Sequence, residues 1–140
     1  MKLSGEDANR YLAKPDPAKA GLLICGADPM RVALKRQEVI LALIGAAGES
    51  EMRLTRIQAS ELRKAPAALS DATRVAGFFP GPRVAFVEDA TDGLTETLGA
   101  ALKEWRAGDA QIVVTAGNLT AKSALRGLFE KHLHAVCITL

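Results

Sequence analysis

The first residues placed for phosphate chemistry follow the first apolar run of the chain. Residues 21–26 read Gly-Leu-Leu-Ile-Cys-Gly, which is typical of a fully buried strand. The turn after this run contains Gly26, Ala27, Asp28 and Pro29. In open α/β folds, the turn after the first strand is where backbone N–H groups can hold a phosphate at the start of a helix.

This turn lacks the groups that a phosphate-binding loop uses. A Walker A loop ends in Gly-Lys-Ser or Gly-Lys-Thr, because a lysine contacts the phosphates and a hydroxyl binds Mg²⁺. Here Pro29 has no N–H to donate, and Asp28 would place a negative charge against a phosphate. We therefore predict a degenerate phosphate loop, in which Asp28 caps a helix that begins at Pro29.

A pair of carboxylates follows another apolar run. Glu88 and Asp89 come directly after residues 84–87 and have the form of a Walker B segment, which holds Mg²⁺ in nucleotide hydrolases. Without the lysine and the hydroxyl, the pair has no phosphate loop to act with, so we interpret it as solvated. A degenerate P-loop-type ATPase or nucleotide-binding domain remains the alternative function, and whether the chain is an enzyme stays open.

The other residues with chemical potential do not form a site in the sequence. None of the serines lies in a glycine-flanked nucleophile elbow, and His132 and His134 fall at a junction between a helix and a strand. Cys25 and Cys137 lie in apolar runs without a metal-ligand spacing, which predicts buried free thiols. We therefore predict no catalytic residue, no metal site and no cofactor.

Five apolar runs alternate with helical patterns along the chain. We predict strands at 21–26, 52–57, 82–87, 112–114 and 135–140, the second of them at a sheet edge, and helices beginning near 28, 60, 94 and 121. This alternation predicts an α/β fold with a parallel sheet and helices on both faces. In the first predicted helix, the spacing places Arg31, Lys35 and Glu38 on one face; the expected inward face comprises Met30, Leu34, Leu41 and Ile44.

Composition limits the class of protein. The chain has 140 residues, 49% of them apolar, and a net charge of +2, which predicts one folded domain rather than a disordered chain. A net charge this small argues against a domain whose main function is to bind nucleic acid. We interpret the cationic side chains on the predicted helices as solvated, with DNA contact as the alternative; these are Arg31, Lys35, Arg36, Arg126 and Lys131.

The sequence also has no apolar segment long enough for a membrane span or a signal peptide, so we expect a cytoplasmic location and no membrane partner.

Two adjacent phenylalanines lie in a predicted loop. Phe78 and Phe79 stand between Gly77, which can end a helix, and Pro80-Gly81, which favours a tight turn. Two neighbouring bulky side chains at a helix end cannot easily both point into one core, so we expect at least one to be exposed. Such a residue can act as an anchor in a protein–protein contact; the alternative is that both fill the junction between helix and sheet.

These residues together resemble a known family. Over essentially all 140 residues, the chain is similar to the N-terminal domain of the delta subunit of DNA polymerase III, the clamp-opening subunit of the bacterial clamp loader. The resemblance is carried by the degenerate turn 26–29 and by residues 77–84, Gly-Phe-Phe-Pro-Gly-Pro-Arg-Val. It implies a three-layer α/β/α domain of the AAA+ (RecA-like) P-loop NTPase fold with a degenerate nucleotide site and a five-stranded parallel sheet of order 5-1-4-3-2.

The resemblance also implies a function and a partner. Phe78 and Phe79, flanked by Val75, Ala76 and Gly77, would insert into a pocket on the β sliding clamp and help to open the ring during DNA replication, without catalysis and without a cofactor. The family's lid and C-terminal collar domains, through which the other clamp-loader subunits assemble, lie outside these 140 residues. DNA would be contacted only indirectly or weakly. The stiff turn at 80–82 departs from the usual family sequence.

Overall fold

A computed structural model of the chain describes residues 1–74 and 81–140. The described residues form one sheet whose neighbouring strands are all parallel, in the order β1-β6-β2-β5-β4-β3. Its strands are β1 (Lys2–Leu3), β2 (Gly21–Cys25), β3 (Leu54–Gln58), β4 (Val84–Ala90), β5 (Gln111–Ala116) and β6 (Ala135–Thr139).

The predicted count of five strands was wrong, because β1 adds a sixth. This two-residue strand pairs with β6, and the Met1 ammonium beside it donates to the carbonyl of Ala135 at 2.9 Å. Two residues are too few to show an alternating pattern, so the sequence offered no signal for β1. Without β1, the strand order is β6-β2-β5-β4-β3, which becomes 5-1-4-3-2 when these five strands are numbered 1 to 5 along the chain. Strand β3 lies at the sheet edge, as predicted.

The helices are α1 (Gly5–Ala13), α2 (Pro29–Ile44), α3 (Ala59–Lys64), α4 (Ala67–Arg74), α5 (Thr95–Glu104) and α6 (Ala124–Lys131). Helix α1 was not predicted. Only Ala8 and Leu12 are buried in it, and these two positions, four residues apart in a short and mostly polar segment, were not recognised as a helical face.

The sheet separates two cores, which confirms the prediction of helices on both faces. Side chains alternate across each strand, so Leu22 and Ile24 of β2 pack with α1 and α2, whereas Leu23 and Cys25 pack with α3 to α6. Phe86 and Phe129 are buried in these cores, as is Leu98 of α5. In the described part of the chain, no helix has the length and apolar composition that crossing a membrane requires.

The orientation predicted for α2 was wrong for most of its apolar face. Met30, Leu34 and Leu41 are 73%, 60% and 55% exposed. The face toward the sheet is instead formed by Val32, Val39, Ile40, Leu43 and Ile44. Helix α2 therefore has two apolar stripes. The larger stripe, part of which is β-branched, packs against the sheet.

Candidate functional site

A crevice opens at the carboxyl ends of β2, β4 and β5. Helix α2, which follows β2, and helix α6, which follows β5, pack on opposite faces of the sheet. The gap between β2 and β5 is therefore the place where ligands bind in open α/β folds. The crevice has a volume of about 210 Å³, and its lining includes Gly26, Ala27, Pro29, Val32, Arg36, Phe86, Glu88, Asp89, Thr115 and Gly117.

The backbone donors at the start of α2 are taken by the protein itself. The Asp28 carboxylate accepts from the N–H groups of Met30 and Arg31, at 3.0 and 3.4 Å. The Gly26 N–H donates to the carbonyl of Gly117 on the next strand at 3.1 Å, and Pro29 has no N–H. Asp28 thus occupies the position where a phosphate would meet the helix, as the capping prediction required.

The two carboxylates predicted at the strand end are brought to the same crevice. They lie within β4, which continues three residues beyond the predicted end, through a shift in register between Val87 and Ala90. Glu88 accepts from Arg56 at 3.3 Å and from Gln58 at 3.1 Å, so its charge is largely balanced by β3. Asp89 lies in the left-handed backbone region, with φ at 59°, and its side chain is exposed.

Arg36 forms the cationic wall of the crevice. Its guanidinium lies 4.9 Å from the centre of the buried Phe86 ring, and Arg56 lies 5.5 Å from the same ring. The Nε of Arg36 is buried and has no hydrogen-bond partner among the described residues. This cation is directed at a ring rather than toward the turn where a phosphate would lie.

The crevice is poorly equipped for nucleotide chemistry. Its volume of about 210 Å³ lies below the ~300–1,000 Å³ of usual ligand pockets. In the described ranges, no three His, Cys, Asp or Glu side chains gather as they would around a metal ion. What the site offers is a small recess in which Glu88 is paired with Arg56 of β3 and Arg36 faces the Phe86 ring.

The predicted clamp-binding residues Val75, Ala76, Gly77, Phe78 and Phe79 lie outside the described residues, but both described flanks are held. On the α4 side, Arg74 pairs with Glu104 of α5 at 3.0 Å, and the carbonyl of Thr73 accepts from the Ala110 N–H at 2.9 Å. The end of α4 is therefore fixed to the body of the domain.

Arg53 holds the other flank. It is only 9% exposed, and its Nη1 donates to the carbonyl of Pro82 at 3.0 Å while its Nε donates to Glu51 at 2.9 Å. Gly81 lies against Arg53 with φ at 128°, where a side chain would be strained. Sequence reasoning missed Arg53, because in the alternating run 52–57 it was one more polar residue expected to face solvent.

The crevice and the described flanks of the segment 75–80 lie at opposite edges of the sheet. Thr73 and Pro82, which flank the segment, are bound near the starts of β5 and β3, whereas the crevice lies where β4 ends. From Val84 to Asp89 the strand advances about 16 Å. The flanks are therefore separated from the crevice by the length of the sheet.

The cationic candidates for DNA contact are not brought together. Arg31, Lys35 and Arg36 belong to α2, whereas Arg126 and Lys131 belong to α6 on the opposite face of the sheet. Arg126 is also engaged, since it pairs with Glu130 at 3.2 Å.

The histidines and cysteines occupy structural positions. The Nδ1 of His132 accepts from the His134 N–H at 3.1 Å, and burial lowers the pKa of His132. Cys25 and Cys137 are free and buried, as predicted. A hydrogen bond with Cys25, together with burial, raises the pKa of Cys137 and keeps it a thiol.

A residue pair that the sequence did not reveal joins the turn after β4 to the start of α6. Asp92 accepts from the Ser123 hydroxyl and from the Leu125 N–H. These bonds lower the pKa of Asp92, the Ser123 hydroxyl most of all. The only sequence signal was a serine before an apolar helix, which marks a cap but not its partner.

Comparison with known proteins identifies no relative: no family model matches the chain, and no curated protein matches it. A functional assignment must therefore rest on the chain's own residues and geometry.

Proposed function

We propose that this chain is a non-catalytic, clamp-binding domain of the kind found in the delta subunit of bacterial clamp loaders. In this proposal the domain has the AAA+ (RecA-like) fold, and Phe78 and Phe79 bind a pocket on the β sliding clamp. Contact that favours the opened ring shifts the ring's equilibrium without any reaction in this chain. A fuller subunit would assemble with the other loader subunits through its further domains.

The observation that carries the proposal is that the described residues on both sides of the Phe78-Phe79 segment are bound to the rest of the domain. Arg74 is bound to α5 on one side, and Pro82 is bound to Arg53 on the other. Because both flanks are already fixed, docking a short segment between them costs less conformational entropy than docking a free tail.

Two features of the fold support the same proposal. The five longer strands have the order that the resemblance implies, with one short edge strand added. At the nucleotide position of such a fold, Asp28 caps α2 with its own carboxylate. A domain that acts by binding a ring has no need of a phosphate loop, and this one lacks the lysine and hydroxyl of a working loop.

The test is binding of the full chain to the β clamp of its own cell, measured by calorimetry. Burying one phenylalanine contributes roughly 1.5–3 kcal/mol, so the double change Phe78→Ala/Phe79→Ala should weaken binding by about 10²- to 10⁴-fold. The matched control is Met30→Ala/Leu34→Ala, which removes two exposed apolar side chains from α2 and should leave clamp affinity unchanged.

The circular dichroism spectrum and thermal midpoint should be the same for all three proteins. Clamp binding by the phenylalanine variant at wild-type affinity would contradict the proposal. Ring opening is measured separately, as release of the clamp from nicked circular DNA, which the wild-type domain should accelerate and the phenylalanine variant should not.

A further inference from the structure

The exposed apolar stripe of α2 has the spacing of a helix-pairing seam. Met30, Leu34, Gln37 and Leu41 are separated by four, three and four residues, and all of them are exposed. This is the spacing that keeps side chains along one line on a helix and lets them interdigitate with a second helix. Nothing in the described part of the chain covers this line.

The two ends of the stripe are complementary to each other. At the Leu41 end lies a recess of about 160 Å³, whose lining is apolar at Ile40, Ile44 and Leu54 and polar at Arg36, Gln37 and Glu49. At the other end, Met30 projects with 73% of its surface exposed. Methionine is unbranched and fills irregular apolar gaps, and these ends are eleven residues, about 16 Å, apart along the helix.

We propose that α2 pairs with α2 of a second copy of this chain, antiparallel and about a two-fold axis between Leu34 and Gln37. In that arrangement Met30 of each copy enters the recess beside Leu41 of the other, and Leu34 faces Gln37. A two-fold contact needs a surface that complements itself, and this helix carries both a projecting side chain and a recess at the required separation.

The charges beside the seam favour the same arrangement. Arg31 and Glu38 both lie on one flank of the stripe, seven residues apart. In the antiparallel pair, Arg31 of one copy lies beside Glu38 of the other, and the contact occurs twice. Glu38 is available for it, because it is 44% exposed and its contact with Lys35 is long, at 3.8 Å. In a parallel pair the two flanks would lie on opposite sides of the seam, and this Arg31–Glu38 contact would not form.

The contact is one helix wide, smaller than the ~800 Å² per partner of a standard interface, so we expect a weak dimer. Sedimentation equilibrium of the full chain from about 10 µM to 1 mM should show a reversible monomer–dimer equilibrium. A monomer over that whole range would overturn the proposal, and the stripe would then belong to another protein. The result does not depend on the clamp, because the seam on α2 shares no residue with the Phe78-Phe79 segment.

Leu34→Glu should raise the dimer dissociation constant by at least about 100-fold, because two carboxylates would face an apolar seam. Leu133→Glu is the matched control, since Leu133 is 83% exposed and lies outside α2. Equal effects of the two substitutions would contradict the proposal. Both sites are exposed, so the fold should persist in each variant, as circular dichroism would show.

The antiparallel direction has its own test. Arg31→Glu and Glu38→Arg should each weaken the dimer, and the double variant should restore it, because the pair is reciprocal. A double variant as weak as either single variant would contradict this register. In oxidative cross-linking, Met30→Cys protein mixed with Leu41→Cys protein should form a mixed dimer, whereas cross-linking of Met30→Cys protein alone would show a parallel contact and overturn the arrangement.

Discussion

Asp28 provides at the start of α2 the negative charge that a phosphate provides in a nucleotide-binding loop. Its carboxylate accepts two backbone N–H bonds, and the next donor, from Val32, goes to the Asp28 carbonyl at 3.1 Å. The helix start is thereby satisfied without a ligand.

Asp28→Ala should lower the free energy of unfolding by about 1 kcal/mol, because the cap of a long helix is lost. Asp28→Ser keeps a capping oxygen and should cost much less, which makes it the matched control. Urea unfolding measures both. Equal losses in the two variants would show that the cap contributes little. Neither change should produce binding of a fluorescent ATP analogue, because the lysine and hydroxyl of a phosphate loop are still missing.

Asp92 gives the stability a dependence on acid pH. Hydrogen bonds from Ser123 and the α6 backbone lower the pKa of Asp92 from its ordinary 3.8. An acid with a lowered folded-state pKa stabilises the protein above the unfolded pKa, and this stability is lost as the pH falls through the folded pKa. Asp92→Asn should therefore lower Tm at neutral pH, by a difference that shrinks as the pH falls below about 3.8.

The control for this titration is Asp71→Asn, because Asp71 is exposed and makes no hydrogen bond within the described chain. Its Tm should follow that of the wild type at every pH. A constant Tm difference for Asp92→Asn from neutral to acid pH would refute the role assigned to the carboxylate charge.

Among the elements, the junction of β3 and β4 carries the main structural support for the proposed binding segment. Arg53, which directly precedes β3, is nearly buried and binds both Pro82 and Glu51. A charged side chain that binds a backbone carbonyl at low exposure fixes the position of that carbonyl more firmly than a surface contact does.

Arg53→Met should lower the free energy of unfolding by roughly 1–3 kcal/mol, because the carbonyl of Pro82 loses its donor. Clamp binding should also weaken, but by less than in the phenylalanine variant, because Pro82 is held less firmly while Phe78 and Phe79 remain. Arg56→Met is the matched control, three residues further along the chain in β3. Arg56 is half exposed and pairs with Glu88, so its loss should cost about 0–1 kcal/mol. A larger loss for Arg56→Met would reverse this interpretation.

Elements differed in how well their sequences predicted them. Strands β2, β5 and β6 are buried on both faces and appear as unbroken apolar runs, so pattern alone located them. Helix α5 has one apolar stripe, which faces the core around Leu98, so its periodicity leaves no choice of inward face. Helix α2 has two, and periodicity cannot decide which stripe meets the sheet, because that depends on what packs beside it.

In the molecule as a whole, the crevice and the described flanks of the Phe78-Phe79 segment lie at opposite edges of one sheet. The crevice lies at the carboxyl edge, and the flanks of the Phe78-Phe79 segment are bound at the amino edge. Groups that far apart, with no shared partner, contribute to binding and stability nearly independently.

Glu88→Gln/Asp89→Asn should therefore leave clamp affinity within about twofold of the wild type. Binding of a fluorescent ATP analogue with Mg²⁺ should be absent in both proteins, because the donors of the phosphate position are occupied by Asp28. Asparagine tolerates the left-handed backbone at position 89, so the fold should be retained. Saturable nucleotide binding by the wild type that this variant loses would instead favour the degenerate ATPase.

The sequence by itself determined the alternation of buried strands with helices, the parallel sheet, the capped and degenerate turn at Asp28, and the buried thiols. Each of these is signalled by residue type and periodicity within one element or by the order of successive elements, even where the contacts themselves join distant strands. Only the tertiary structure decided that β1 joins the sheet, that Arg53 holds Pro82, that Asp92 reaches Ser123, and that Met30, Leu34 and Leu41 face outward. These depend on partners distant in sequence, whose positions are set by how the layers pack.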